Sequence, residues 1–237
     1  GSYALKENTT ASYNTAIGSN ALKLNTTGST NVAVGQNSLT ANTTGSNNTA
    51  IGRSALASNT TAGFNVAVGK DALDANTTGA SNTALGTGSL TSNTTANSNT
   101  GVGKGALAAN TTGASNTAVA DSSLDANTTG SYNTAVGQGS LGSNTTNSGN
   151  TAIGYTALLT GNRSQNTAIG FEALRRGATG NNNVGVGYEV LEYNTANNNT
   201  AVGHSVLKVN TTGLSNVAVG YETLRDNTTG GYNVAVG

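Results

Sequence analysis

The 237-residue sequence has no cysteine, proline, methionine or tryptophan. Without cysteine it lacks a thiol for nucleophilic catalysis or for metal binding. Only 8% of its residues are charged and 4% are aromatic, whereas typical soluble domains have about 25% charged residues. The formal net charge is zero, so nothing indicates nucleic acid or an anionic membrane surface as a partner.

Long hydrophobic runs are also missing, and no signal peptide is visible, so we expect no membrane insertion in this stretch. Disordered chains are usually rich in charge or proline, and this chain has little of the first and none of the second. The scarcities therefore indicate an ordered fold with a thin core. Gly1-Ser2 resembles a scar of tag removal, and the sequence begins and ends inside a repeat, which predicts an excised fragment.

A single pentapeptide, Asn-Thr-Ala-Val/Ile-Gly, organises the rest. It starts at Asn14 and recurs every 17 residues up to Asn150, with later steps of 16, 17, 16, 17 and 17 residues. The full unit reads N-[TV]-[AG]-[VIL]-G-x-x-[AS]-L-x-x-N-T-T-G-x-x, and positions are numbered from its first asparagine. A period kept over the whole length predicts a repeat architecture. The coil has no room for a helix, so we predict an all-β, parallel β-solenoid or β-roll of about 14 coils.

The aliphatic positions predict the core. Positions 2 and 4 share one face of a strand and position 3 faces the opposite way, while the leucine of position 9 is interpreted as part of a second short strand. The asparagines of positions 1 and 12 are expected to stack as amide ladders. The predicted core residues are Ile17, Leu22, Val34, Leu39, Ile51, Leu56, Val68, Leu73, Ile153 and Leu158.

So thin a core predicts self-association. One buried aliphatic side chain contributes roughly 1.5–3 kcal/mol, against about 1–2 kcal/mol of backbone entropy for each ordered residue. Position 3 is always alanine or glycine, which predicts that its face lies close against something. We therefore expect copies to pack through their alanine faces as a parallel homotrimer.

Three regions differ in regularity. Residues 1–13 form a partial repeat, residues 14–149 form regular coils of low charge that would serve as a shaft, and residues 150–237 form less regular coils with more aromatic and charged residues. The 16-residue steps predict shortened turns near Gly161-Asn162-Arg163 and Asn194-Thr195-Ala196, as bends or as irregularities that face a receptor.

Position 6 becomes aromatic in the last region, while position 7 gains glutamates and position 10 becomes charged. Equivalent side chains of successive coils lie one strand spacing apart, so these positions form an aromatic column beside charged columns. Such a surface is predicted to bind sugars, whose rings would pack on the faces of the aromatic rings. The alternative is that the columns only stiffen the solenoid. The candidate ligand-binding residues are Tyr155, Phe171, Tyr188, His204, Tyr221, Glu172, Glu189 and Glu222.

Catalysis finds little support in the sequence. His204 is the only histidine, and it occupies a variable position of the repeat. The acidic residues show no spacing typical of metal ligands, and Gly185-Val186-Gly187 belongs to the repeat rather than to a phosphate-binding loop. We predict a non-enzymatic protein without metal or cofactor.

The repeat resembles Asn-Ser-Val-Ala-Ile-Gly-x-x-Ser, the repeat of the YadA-like head in trimeric autotransporter adhesins. It is closer still to a repeat of phage and large-virus tail-fibre proteins, N-T-A-V-G-Y-x-A-L-x-x-N-T-T-G. The coil that starts at Asn183 carries Tyr188, Leu191 and Asn194-Thr195 at the matching places. The resemblance implies a left-handed parallel β-roll, a trimer along its whole length, and an extracellular location on a virion tail fibre or a bacterial cell surface.

The leading hypothesis is therefore a structural and adhesive rod that attaches to a cell-surface glycan or protein receptor. An alternative is an ice-binding β-solenoid, because threonine recurs at positions 2, 13 and 14. A polysaccharide-degrading tailspike is the other alternative, since it needs paired carboxylates. Glu172 and Glu189 occupy equivalent positions of adjacent coils.

Overall fold

The computed structural model describes residues 1–160, 163–176 and 180–237, which contain no helix. The chain divides into two compact units, Gly1–Asp121 and Ser122–Gly237. The strands of the first unit are β1 Thr15–Ile17, β2 Val32–Val34, β3 Thr49–Ile51, β4 Val66–Val68, β5 Thr83–Leu85, β6 Thr100–Val102 and β7 Thr117–Val119. Those of the second unit are β8 Thr134–Val136, β9 Thr151–Ile153, β10 Thr167–Ile169, β11 Val184–Tyr188, β12 Thr200–His204, β13 Val217–Tyr221 and β14 Val234–Val236.

Within each unit, every strand pairs in parallel with the strand of the next coil. Each residue lies opposite its equivalent one repeat later, as Thr15 opposite Val32 in the first unit. The register survives the first shortened step, because Thr151 lies opposite Thr167 in the second unit. The predicted fold class, an all-β parallel β-solenoid with a 17-residue repeat, is confirmed.

Alanine and leucine fill the inside of each coil. Ala50, at the centre of β3, and Leu56, six residues later, are both fully buried. All five leucines predicted for the core are completely buried, which confirms that part of the prediction: Leu22, Leu39, Leu56, Leu73 and Leu158.

The Val/Ile residues of position 4 lie outside this core, so that half of the prediction is wrong. Ile17 is 59% exposed, Ile51 40% and Ile153 38%, while Val34 and Val68 are half-buried. Successive residues of a strand point to opposite faces, and the inward direction belongs to alanine. No side chain larger than the methyl group of alanine occurs at position 3, and even a Cβ at Gly101 would lie 2.5 Å from Ser89 Oγ.

The alanine face is consequently not available to a second copy, which corrects the expectation that copies pack through it. Ala33, Ala67 and Ala84 are buried inside their own coils. The outward face of the strands carries positions 2 and 4 instead.

The leucine segment is not the second strand that the sequence predicts. In the coil that starts at Asn31, Asn37 and Leu39 have left-handed φ angles of 60° and 48°. The Leu39 amide still donates to the Ala55 carbonyl of the next coil at 3.0 Å. A left-handed conformation costs a non-glycine residue about 1–2 kcal/mol, and complete burial of leucine offsets it with roughly 1.5–3 kcal/mol.

Asparagine ladders hold the corners, as predicted. At position 12, the Asn42 amide nitrogen donates to the Gly45 carbonyl at 2.9 Å and to Asn25 Oδ1 at 2.8 Å. At position 1, the Asn48 amide nitrogen donates to the Ala62 carbonyl at 2.9 Å, and its backbone N–H donates to Asn31 Oδ1 at 2.9 Å. These buried bonds satisfy turn carbonyls that water does not reach.

Glycine at position 5 makes the first corner. Gly52 has φ +135°, and a Cβ on it would lie 2.4 Å from the carbonyl oxygen of Gly69 in the next coil. Both the backbone conformation and the close approach of the next coil therefore favour glycine, and the one exception at this position is Ala120, at φ 123°.

Of the two predicted short turns, one can be described fully. Asn194 Nδ2 donates to the Ala196 carbonyl two residues on, instead of three, at 2.8 Å. Asn210 Nδ2 still donates to Asn194 Oδ1 at 2.7 Å, so the ladder accommodates the deletion. Residues 161 and 162 of the other turn lie outside the described residues.

Candidate functional site

The five predicted ring-bearing residues of position 6 form one stack in the second unit, here called the aromatic ladder. Its ring centroids are 5.4 Å apart from Tyr155 to Phe171 and 5.2 Å from Phe171 to Tyr188. His204 lies 5.0 Å from both Tyr188 and Tyr221. The interplanar angles are 6–19°, so the rings are nearly parallel.

The strands of the second unit place these rings. Tyr188, His204 and Tyr221 are the last residues of β11, β12 and β13, which have five residues where the other strands have three. Tyr188 pairs with His204, and His204 pairs with Tyr221. In-register pairing thus carries each ring directly onto the next.

This geometry changes the predicted way of binding a sugar. Each inner ring has both faces covered by its neighbours at van der Waals distance, so a sugar ring cannot stack there. The rings remain 41% exposed at Phe171, 47% at Tyr155 and 68% at Tyr221. What the ladder offers a partner is a stripe of ring edges and two tyrosine hydroxyl groups, those of Tyr155 and Tyr221, that are free of the ion pairs described next.

The predicted glutamates lie beside the ladder, each within reach of a basic residue. Glu172 Oε2 is 2.8 Å from Arg175 Nη1, and Glu222 Oε1 is 3.8 Å from Arg225 Nε. Glu189 accepts a hydrogen bond from Lys208, which lowers the pKa of Glu189. A general acid needs a raised pKa, so the shift at Glu189 is opposite to what a glycosidase acid requires.

Lys208 joins two glutamates of the preceding coil. Its Nζ contacts Glu189 and lies 3.2 Å from Glu192 Oε2, and the hydrogen bond with Glu189 raises the pKa of Lys208. The hydroxyl group of Tyr188 also bonds Glu189, which raises the pKa of Tyr188. Arg176, whose Nε lies 3.6 Å from Glu192 Oε1, supplies the second positive charge, so two basic residues balance the two glutamates of the cluster.

Two residues at position 11, Arg176 and Tyr193, join this cluster and were not predicted from the sequence. Arg176 Nε lies 3.6 Å from Glu192 Oε1, its Nη1 donates to the Tyr193 hydroxyl at 3.3 Å, and its guanidinium lies 5.6 Å from the Tyr193 ring centroid. Their shared repeat position, one coil apart, was the available signal.

A second surface is the outward face of the strands, here called the strand face. In both units it consists of the side chains at positions 2 and 4, which are only threonine, valine, isoleucine and leucine. None of them is buried. The strand face is therefore uncharged, β-branched except at Leu85, and open along each unit.

Four aromatic side chains at position 17, here called the corner aromatics, were also missed. They are 66–87% exposed and all have left-handed φ angles of 60–62°. Position 17 comes two residues before the strand, whereas the aromatic ladder begins two residues after position 4. The corner aromatics are Tyr13, Phe64, Tyr132 and Tyr232.

The described residues contain no detected cavity, and within the same ranges no three His, Asp or Glu side chains are grouped to hold a metal ion. Helices that could span a bilayer are likewise absent from the part of the chain that the structure describes. The chain matches no model of a known protein family and no curated protein sequence.

Proposed function

We propose that the chain is part of a non-enzymatic attachment rod, of the kind found in viral tail fibres and bacterial surface adhesins, and that it works as a parallel homotrimer outside the cell. The observation that carries the proposal is the strand face, which repeats in register and is uncharged and uncovered in the single chain. A repeat of this kind adds length without adding new chemistry, which suits a spacer.

The strand face supports association of copies. Val66, Leu85 and Val217 are 39%, 47% and 40% exposed, and covering such side chains gains roughly 25 cal/mol for each Å² of apolar surface. An uncharged face imposes no like-charge repulsion between identical chains in parallel. In a closed trimer with rotational symmetry, the strand face of every copy is covered by its neighbours.

The aromatic ladder supports attachment. It is an exposed stripe of five rings in a chain with few aromatic residues, and tyrosine is enriched where proteins bind partners. The receptor is a cell-surface glycan or protein that contacts ring edges and the outer tyrosine hydroxyls.

Two measurements test the proposal. Sedimentation equilibrium is expected to give three times the mass of one chain, and a stable monomer would refute the homotrimer. Binding to glycan arrays and to intact cells is expected to fall when Tyr155, Phe171, Tyr188 and Tyr221 are replaced by glutamine, the residue found at Gln36 and Gln138 of the same column. Unchanged binding would show that the ladder is not the attachment surface.

Ice binding is a second candidate, favoured by the same strand face. Thr83, Thr100 and Thr117 follow one another in register on consecutive strands of the first unit, so hydroxyl and methyl groups repeat at the strand spacing of about 4.8 Å. Thermal hysteresis of the purified chain tests it. The two functions exclude each other, because copies that cover the strand face hide it from ice.

A further inference from the structure

The strand face alone is too small for a stable contact between copies. Seven strands, each about 4.8 Å apart and three residues wide, offer roughly 340 Å² in each unit, or roughly 680 Å² in the two units together. Stable interfaces bury about 800 Å² on each partner. A contact centred on the strand face must therefore extend over the corners on either side of it.

The strand face also cannot define how copies align along the solenoid. Position 4 holds only valine, isoleucine or leucine in every coil, and position 2 holds only threonine or valine. If one copy slid past another by one coil, nearly every contact would be replaced by an equivalent contact. Repetitive surfaces specify register weakly unless a non-repeating feature is added.

The corner aromatics are such a feature. In the first unit Tyr13 and Phe64 are three coils apart, with Thr30 and Asn47 at the coils between them. Their exposed fractions are 87% and 66%. Exposed rings at irregular intervals distinguish one axial alignment of two copies from the others.

The coil itself does not need these rings. Serine occupies position 17 in four other coils with the same left-handed φ of 56–60°, at Ser81, Ser98, Ser115 and Ser215. A bulky residue in that conformation is unfavourable compared with small polar ones. An unfavourable backbone conformation under a fully exposed ring indicates a role outside the coil.

We infer that the corner aromatics extend the contact between copies of this chain and fix their axial register. The inference rests on the proposed homotrimer and names the partner of the corner aromatics as the neighbouring copy. Eight of the ten aromatic residues of the chain lie at positions 6 and 17, which flank the strand face. Aromatic residues at interfaces commonly contribute most of the binding energy.

Disulfide trapping tests the register, because the chain has no cysteine of its own. Val34 and Ile51 lie opposite each other on β2 and β3 of the first unit. Chains carrying Val34→Cys and chains carrying Ile51→Cys are refolded together, oxidised and analysed by mass spectrometry. Disulfides between two copies of the same variant report aligned chains, whereas crossed disulfides report a slip of one coil.

With the corner aromatics in place, we expect crossed disulfides to be at least roughly tenfold rarer than like-with-like disulfides, since one buried interface aromatic supplies that ratio. Replacing Tyr13, Phe64, Tyr132 and Tyr232 with serine is expected to raise crossed disulfides to a comparable yield. The matched control, Tyr193→Ser, changes an exposed aromatic residue at position 11, outside the two columns that flank the strand face, and is expected to leave the ratio unchanged.

The failures are distinguishable. A monomeric mass removes the proposed homotrimer and this inference with it. A trimeric mass with abundant crossed disulfides before substitution, or with an unchanged ratio after it, overturns the inference and leaves the proposed function standing. A trimer that forms neither disulfide shows that copies meet away from the strand face, which also overturns it.

Discussion

The two units share a backbone and differ in what they carry on it. In the first unit, position 6 holds mainly small, polar or basic residues such as Ser19, Gln36 and Lys104, and the coils are held by backbone bonds, asparagine ladders and buried leucines. The second unit adds the aromatic ladder and the cluster around Lys208. The first unit also has ion pairs, such as Arg53 with Asp71, but among its residues, all of them described, no such stack of rings is formed. The asparagine ladders and the buried leucines therefore suffice to form the coil, and the aromatic ladder is an addition on its outside.

In the second unit, the asparagine ladder of position 12 is interrupted in the same coil in which the aromatic ladder begins. Asn144 Oδ1 is buried and has no hydrogen-bond partner in the described ranges, where other asparagines of position 12 accept from the next coil. The next residue of this column in the sequence is Gly161, which lies outside the described residues. The same coil carries Tyr155, the first ring of the aromatic ladder.

The largest expected loss of stability comes from the buried leucines, which occur at the same repeat position in both units. Leu73→Ala in the first unit and Leu191→Ala in the second each remove a fully buried side chain, which costs about 2–5 kcal/mol in a close-packed interior. Denaturant titration of each variant measures the loss. Similar losses would confirm that the leucine core contributes equally to the two units. A difference above about 2 kcal/mol would show that the aromatic ladder and the ion pairs also stabilise the second unit.

The next effect concerns the asparagine ladder. Asn76 Nδ2 donates to Asn59 Oδ1 and to the Gly79 carbonyl, and Asn76 Oδ1 accepts from Asn93. Asn76→Ala leaves buried partners without bonds, and we expect a loss of about 2–3 kcal/mol in the free energy of unfolding. Thr78→Ala, a nearby exposed change, serves as the control. A loss below about 0.5 kcal/mol would mean that water replaces the ladder.

Two carboxyl groups, Glu189 in the second unit and Asp74 in the first, are expected to change the free energy of unfolding with opposite signs as the pH falls. Lys208 holds the pKa of Glu189 below its ordinary value of 4.5, so stability from this pair is present above pH 4.5 and is lost as the pH falls through the lower folded pKa. Burial, and then the charge of Asp71, raise the pKa of Asp74 in the first unit. Asp74 therefore binds its proton more readily in the folded state than in the unfolded chain and contributes stability as the pH falls. Glu7, an exposed carboxyl of the same unit whose pKa the hydrogen bond from Lys6 lowers, contributes with the opposite sign.

Hydrogen exchange resolved by unit, between about pH 5 and pH 3, measures these responses. Lys208→Met is expected to remove the acid sensitivity of the second unit and to cost about 1 kcal/mol at neutral pH, since the pair is partly solvated. Asp74→Asn is expected to remove the gain in the first unit. If both variants changed the pH dependence of stability in the same direction, the opposite signs assigned to Glu189 and Asp74 would be wrong.

The smallest of the expected losses, that of Tyr221→Gln, belongs to the aromatic ladder. Phe171 contacts two rings, whereas Tyr221 contacts one, and each stacked pair is worth about 0.5–1.5 kcal/mol. Phe171→Gln is therefore expected to destabilise the second unit by about 1–2 kcal/mol, and Tyr221→Gln by about half as much. Thermal unfolding compares the two variants, and an equal effect would show that the rings act singly.

The period, the parallel register, the buried leucines and the asparagine ladders could all be predicted from the sequence, because each repeats at one position and stacking follows directly. The aromatic ladder was predictable for the same reason, from Tyr155 to Tyr221. The ion pairs were not, since Arg176 at position 11 reaches Glu192 at position 10 through side-chain directions that spacing does not reveal.

The sequence by itself determined that equivalent residues stack in columns. Leucine recurs once and asparagine twice at fixed positions of a 17-residue repeat, and a fixed period places each of them above its equivalent in the next coil. Only the tertiary structure decided which strand face points inward. Valine and isoleucine are the more hydrophobic residues, yet alanine takes the interior, as at Ala50 beside the exposed Ile51. Strand and leucine lie so close together that a Cβ at Gly185 would be 2.8 Å from Leu174 Cδ1, so size outweighs hydrophobicity and the larger side chains lie on the outside.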